Sequence, residues 1–250
     1  MLNKTQVKYI QSLTHKKFRE EENAFIAEGP KLVKELLAEK LSSVRHIYAL
    51  PQWIDENKSL VKSLQEEQLV VINQAELERI SLMRTPNQVL AVVQKFAQSP
   101  PADCTKQLVL ALDNIQDPGN MGTIIRIADW FGISHIICSE DCADRYNPKV
   151  VQSTMGSIMR VSLSYENLPT FLEQQKDCNV FAAALEGTPV HQIAKGQKGI
   201  LLIGNESKGI SDALMKASNK KITIPRIGSA ESLNAAVATG IILSHLLTGK

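Results

Sequence analysis

The 250-residue chain is short of the features that settle an assignment at a glance. Its formal net charge is only +2, so no global excess of either sign marks it for nucleic acid or a membrane surface. No apolar run reaches the roughly 20 residues of a spanning helix, and the opening MLNKTQVKYIQS lacks the apolar core of a signal peptide. A cytosolic protein with no membrane partner is expected. Four cysteines (Cys104, Cys138, Cys142, Cys178) form no C-x-x-C pair, and the five histidines are scattered. Neither a disulfide framework nor a zinc site is indicated, so no metal is expected and the cysteines read as small apolar core groups. The phosphate-binding fingerprints G-x-G-x-x-G and G-x-x-x-x-G-K-[ST] are both absent. Their absence counts against a nicotinamide-dependent dehydrogenase and a nucleotide hydrolase.

What is present is a composition of 44% hydrophobic and 22% charged residues, enough apolar material for two ordinary domains. The first hundred residues alternate helix and strand patterns. Residues 7–22 read as one charged helix, and residues 1–19 hold Lys4, Lys8, Lys16, Lys17 and Arg19 with no acid. That basic patch reads equally as an RNA contact or a solvated helix face. Strands are expected at AFIAEG (24–29), VRHIYAL (44–50), LVVIN (69–73) and QVLAVVQKF (88–96), with helices at PKLVKELLAEK, 53–67 and 75–83. The Ser99-Pro100-Pro101 stretch cannot easily continue a strand, so it marks a domain boundary.

A second series of strands follows: QLVLALDNI, HIICSE, VSLSYE, NVFAAALEG, KGILLIGNE and KKITIPRI. Nearly continuous apolar strands alternating with helices predict an α/β domain with a mostly parallel sheet covered on both faces. Ligands bind beyond the carboxyl ends of such strands. Three of those ends carry polar clusters. In DNIQDPGNMGTIIRIADWFG (113–132), Asn120 stands at a helix start as a candidate cap, and Arg126 by spacing alone reads as an i, i+3 partner of Asp129. In GNESKGIS (204–211), Gly204 and Gly209 permit close backbone approach, and Glu206 reads as a cap or a loop anchor. In IPRIGSAESLNAAVATG (224–240), Ser229, Ser232 and Asn234 all offer to cap a final apolar helix over 233–247.

In this order and spacing the three clusters resemble the motifs of the SpoU or TrmH branch of knotted methyltransferases, over residues 106–250. Residues 1–97 resemble the substrate-binding domain of its ribosomal-RNA members, with 98–105 as linker. The resemblance implies a deep trefoil knot, S-adenosylmethionine as cofactor, a homodimer, and methylation of a ribose 2'-hydroxyl in RNA, ribosomal RNA above transfer RNA. It assigns donor contacts to Gly204, Asn205, Gly209, Ile224, Arg226 and Leu233, and catalysis to Asn120, Arg126, Glu206, Ser232 and Asn234. Family members more often carry methionine where this chain has Arg226. A catalytically silent RNA-binding or ribosome-assembly factor on the same fold is the competing reading.

Overall fold

Ten strands and eleven helices alternate along residues 2–99 and 102–248, the part of the chain that the computed structural model describes. Pro100 and Pro101, on which the expected boundary turns, lie outside the described residues. Contacts gather the chain into two units, one of Met1–Ala97 with Asp144–Met159 and one of Gln98–Ala143 with Arg160–Lys250.

The first unit is built on a mixed sheet of β1 (Ala24–Glu28), β2 (Val44–Ala49), β3 (Leu69–Val71) and β4 (Val89–Gln94), in the order β1-β4-β2-β3. β4 runs antiparallel to both neighbours. Helices α1 (Lys4–Ser12), α2 (Lys16–Glu21), α3 (Pro30–Glu39), α4 (Pro51–Glu56), α5 (Lys58–Val61) and α6 (Gln74–Ile80) surround it. Alternation along a strand sends Phe25 and Ala27 to one core with Leu32, Val33, Leu36 and Leu37 of α3, and Ala24 and Ile26 to another with Ile10, Leu77 and Ile80.

Two expected helices are broken, each where a side chain satisfies the interrupted backbone. The 7–22 helix divides at Leu13–His15, where the buried Arg19 donates from Nη1 to the carbonyls of Leu13 (2.9 Å) and Thr14 (2.7 Å). The 53–67 helix divides at Asn57, whose Nδ2 donates to the Trp53 carbonyl at 2.7 Å. On α2 the basic patch is partly answered by its own helix: Lys16 and Lys17 lie 3.9 and 3.8 Å from Glu20 and Glu21, in exposed pairs worth little.

The second unit holds six parallel strands: β5 (Leu108–Leu112), β6 (His135–Cys138), β7 (Ser162–Tyr165), β8 (Val180–Pro189), β9 (Gly199–Ile203) and β10 (Lys220–Thr223). Their order is β10-β8-β9-β5-β6-β7. Helices α7 (Pro118–Trp130), α9 (Leu168–Gln174), α10 (Asp212–Ala217) and α11 (Ala235–Leu247) belong to it. α8 (Pro148–Thr154) lies in the first unit. Val109, Ala111, Ile200 and Leu202 face α9 and α10, while the alternate residues Leu110, Leu112, Leu201 and Ile203 are buried on the opposite face. The sheet is covered on both sides, as its continuous apolar strands require. No helix among the described residues is long and apolar enough to cross a membrane.

One expectation is corrected here. Cys104 and Cys178 are joined by a disulfide across 74 residues, whereas Cys138 and Cys142 are buried thiols outside any disulfide. Spacing could not reveal the pair. It arises because β5 and β8 flank β9, which brings together the segments that lead into them.

The excursion Asp144–Met159 is anchored to the first unit by packing and by charge. The Tyr146 ring sits 4.7 Å from that of Phe25, its hydroxyl accepts from the Phe96 amide at 2.9 Å, and Val151 and Ile158 join the α3 core. Arg19, 2% exposed, donates Nε and Nη2 to Asp144 Oδ2 at 3.0 and 2.5 Å. Breaking a buried pair leaves the remaining charge and carbonyls without partners. Arg19→Met is expected to destabilise the first unit by roughly 3 kcal/mol in chemical denaturation; a loss under roughly 1 kcal/mol would show that the pair does not anchor the excursion.

Candidate active site

Sheet order explains why the polar clusters meet. β5 and β9 are neighbours in register, Leu112 beside Ile203, so the loops after them emerge side by side. The loop after β10 comes in from across β8. All three leave from carboxyl ends, where a parallel sheet presents ligand sites.

The loop after β5 enters α7 with Asp117 as the cap, its side chain accepting from the Asn120 amide at 2.8 Å, and Pro118 in the first turn. The expected cap, Asn120, therefore lies one turn inside the helix with its side chain free for other work. Its Nδ2 donates to Glu206 Oε1 in a short contact, and its Oδ1 accepts from Asn234 Nδ2 at 2.8 Å. Asn234 in turn caps α11, its Oδ1 accepting from the amides of Ala236 (3.0 Å) and Val237 (3.2 Å). Of the three candidate caps for that helix, Asn234 is the one used. Chemistry fixes both amide orientations: an ionised carboxylate can only accept, and helix amides can only donate. Glu206 is thus an anchor to α7 and not a helix cap.

The loop after β9 is closed on itself. Asn205 and Gly209 exchange backbone hydrogen bonds of 3.2 and 2.8 Å, and Asn205 Oδ1 accepts from the amides of Ser207 and Lys208 at 2.9 and 3.1 Å. A Cβ on Gly204 would stand 2.3 Å from the Gly209 carbonyl carbon, and Gly209 holds φ +70°. The first position requires glycine and the second favours it. After β10, residues 224–234 run without regular structure, and Arg226 Nη1 donates to the Ala230 carbonyl at 3.3 Å. The residue that departs from the family pattern spends its side chain holding its own loop.

These loops border a cleft of about 620 Å3. Gly204, Asn205, Gly209, Ile224, Arg226 and Leu233, the six expected donor contacts, all line it, together with Glu206 and Ser232. Ser232 makes no hydrogen bond to another described residue, so its hydroxyl is open to a ligand. Ile222, Ile224, Leu233 and Ile242 supply apolar wall. A cleft of this size, apolar with few polar groups and closely approached by backbone at Gly204, fits a small-molecule ligand. The middle of β8, Ala183–Leu185, just past its last pair with β9 at Ala182, also lines it, a stretch that the strand-end rule does not single out. Among the described residues no three His, Cys, Asp or Glu side chains gather as a metal-ligand set.

Asn120, Asn234 and Arg126 do not border the cleft, and Arg126 stands apart from the Glu206–Asn120–Asn234 chain. Six residues along α7 separate Arg126 from Asn120, roughly 9 Å in rise and roughly 120° in rotation. Arg126 is exposed. Its expected partner Asp129 binds Arg160 Nε instead, at 2.9 Å, so Arg126 has no ion pair among the described residues. The i, i+3 reading is thereby corrected, and an uncommitted cation remains beside Trp130, which is 85% exposed.

Residues 107–244 match the SpoU rRNA methylase family, and residues 4–91 match the MRM3-like substrate-binding domain. The chain is 31% identical over 244 residues to a 23S rRNA guanosine 2'-O-methyltransferase of Bacillus subtilis, covering 96% of this chain and 95% of that one. A solved structure of a putative RNA methyltransferase of the TrmH family from Porphyromonas gingivalis superposes with a TM-score of 0.87 at 35% identity, covering 99% and 98% of the two chains. The SpoU methyltransferase AviRb of Streptomyces viridochromogenes, solved in complex with the cofactor AdoMet, gives 0.83 at 26% identity, covering 98% and 97%. The family match takes in more than half of the chain and every residue of the hydrogen-bonded chain and the cleft, and the protein belongs to the SpoU rRNA methylase family.

Proposed function

We propose that this protein methylates a ribose 2'-hydroxyl of ribosomal RNA, with S-adenosylmethionine held in the cleft beyond β9 and β10, and that it acts in the cytoplasm. The observation that carries the reading is the Glu206–Asn120–Asn234 chain at the edge of that cleft. It ties the three clusters together at one point and leaves the Ser232 hydroxyl open beside it. The backbone around Gly204, the closed 205–209 loop and the Ile224 and Leu233 walls are the groups suited to hold the donor, which supplies a sulfonium-activated methyl group when bound. The same reading takes the loop after β9 and the β10–α11 connection as a trefoil knot, an exception to the rule that chains do not thread their own loops.

Within it, Glu206, Asn120 and Asn234 set the geometry of an in-line displacement, and Ser232 hydrogen-bonds the ribose. Arg126 pairs with an RNA phosphate and stabilises the developing alkoxide; a guanidinium is a poor general base. A silent RNA-binding factor has no use for this constellation. Transfer RNA is the second substrate reading; what favours ribosomal RNA is the substrate-binding domain match over residues 4–91 and the ribosomal substrate named for the Bacillus subtilis relative.

Arg126 lies off the single-chain site, so we read the active form as a homodimer in which the arginine of each copy completes the site of the other. The exposed outer faces of α7 and α11 support this, with Trp130 85%, Val237 51% and Ile241 40% exposed. The small residues of α11 pack inside the unit. Ala235 and Ala236 are buried within the unit, and Gly240 sits where a Cβ would be 3.7 Å from Ile127 of α7. The large apolar Val237 and Ile241 face outward.

Ribosomal RNA from cells lacking the gene is expected to accept labelled methyl groups from S-adenosylmethionine in the presence of the purified protein, and the labelled linkage is expected to resist alkali. No incorporation into any RNA would reject the enzymatic reading. Arg126→Ala is expected to lower kcat by a factor of about 1,000 while donor affinity in calorimetry stays within about twofold; near-normal turnover would remove Arg126 from the site. Sedimentation is expected to give twice the chain mass, and Trp130→Glu to shift it toward the monomer with loss of activity. A fully active monomer would contradict the shared site.

A further inference from the structure

The turn after β5 contains a feature that the cleft itself does not explain. Asn114 holds φ +59°, a left-handed backbone that glycine and asparagine tolerate and that β-branched residues essentially refuse. Its side chain gives no reason for being there: Oδ1 is buried with no hydrogen-bond partner. What Asn114 contributes is its main chain. The left-handed turn aims its carbonyl at Asn205, whose Nδ2 donates to it at 2.9 Å. The Asn114 amide donates on the other side to Ser139 Oγ, also at 2.9 Å. The next amide, that of Ile115, donates to Cys142 Sγ at 3.2 Å, and the Ile115 carbonyl accepts from the Ala143 amide at 2.9 Å. The turn is fixed from behind by the loop after β6.

The other hydrogen bonds of Asn205 are internal to its loop, made to Ser207, Lys208 and Gly209. They stiffen residues 205–209 as a body without fixing that body to the sheet. Two contacts do the fixing from β5: Asn114 O with Asn205 Nδ2, and Asp113 Oδ2 with the Ser211 amide at 2.7 Å. Only the first acts at Asn205, next to Glu206.

On the reading of the cleft given above, the geometry points to Asn114 as a positioning residue for methyl transfer. Its left-handed carbonyl pins Asn205 and thereby holds Glu206 against Asn120 and the 204–209 backbone against the donor. Glycine at this position keeps the carbonyl where it is. Valine does not.

The test uses the full chain with Asn114→Gly, Asn114→Val, Asn205→Asp and the double variant Asn114→Val/Asn205→Asp. Aspartate at 205 keeps an acceptor for Ser207 and Lys208 and loses the donor to Asn114. Three quantities are read: hydrogen exchange of the Ser207 and Gly209 amides in the unliganded protein, S-adenosylmethionine affinity, and kcat with KM for ribosomal RNA. Asn114→Gly is expected to stay within about twofold of the parent in all three. Asn114→Val and Asn205→Asp are each expected to speed exchange and to lower kcat and donor affinity by about tenfold, with RNA KM unchanged. The double variant is expected to be no worse than the more affected single one, because both remove one contact. Multiplying effects would overturn the proposal, since the new charge at 205 would then act independently of Asn114. An Asn114→Gly variant as impaired as Asn205→Asp would overturn it as well. If Asn114→Val does not fold, Asn205→Asp still decides, because unchanged exchange at Ser207 and Gly209 would sink the contact. The exchange readout needs no methyl transfer, so a failure of the proposed activity remains distinguishable from a failure of the anchor.

Discussion

Asn120 has a single side-chain amide, and its two ends are held by partners from two other stretches of chain. Its nitrogen faces the Glu206 carboxylate, and its oxygen faces the Asn234 amide, which in turn caps α11. Reversing either amide would set donor against donor or acceptor against acceptor, so the three segments have one mutual arrangement that satisfies all of them. That arrangement fixes one edge of the cleft and couples its shape to the stability of the last helix. Asp117 makes it possible by taking over the capping of α7 and releasing Asn120.

The sheet supplies the framework for this contact. Placing β9 beside β5, and β10 beyond β8, lets loops that are far apart in sequence leave the same end of the sheet. The two glycines of the β9 loop let it fold against itself, and Asn205 locks it, so Glu206 leaves a rigid body rather than a free loop. The first unit is organised separately around its own mixed sheet. The Arg19–Asp144 pair and Tyr146 bind residues 144–159 into it, so an enzyme trimmed at residue 97 would strip the cover from Tyr146, Val151 and Ile158.

Strands were legible because their signal is local: a continuous apolar run has few alternatives in a covered parallel sheet, and each of the ten forms near its expected place. The six residues expected to contact the donor came from motif resemblance, and all six line one cleft. What escaped was set by particular side-chain contacts and not by periodicity. The breaks at Leu13 and Asn57 depend on Arg19 and on the Trp53 carbonyl, the disulfide depends on strand order, and the release of Arg126 depends on Arg160 claiming Asp129. The cap at Asp117 was the nearest miss, since Asp-Pro immediately before a helical pattern is itself a start signal. Asn114 offered only the weak hint of an asparagine ending an apolar strand, and its left-handed turn becomes visible in the backbone alone.

The most direct measurement is a map of ribose 2'-O-methylation across total RNA from cells with and without this gene. Loss of one methylated nucleotide in ribosomal RNA on deletion, restored by the parent chain and not by Arg126→Ala, is the result this account predicts. An unchanged map would contradict it.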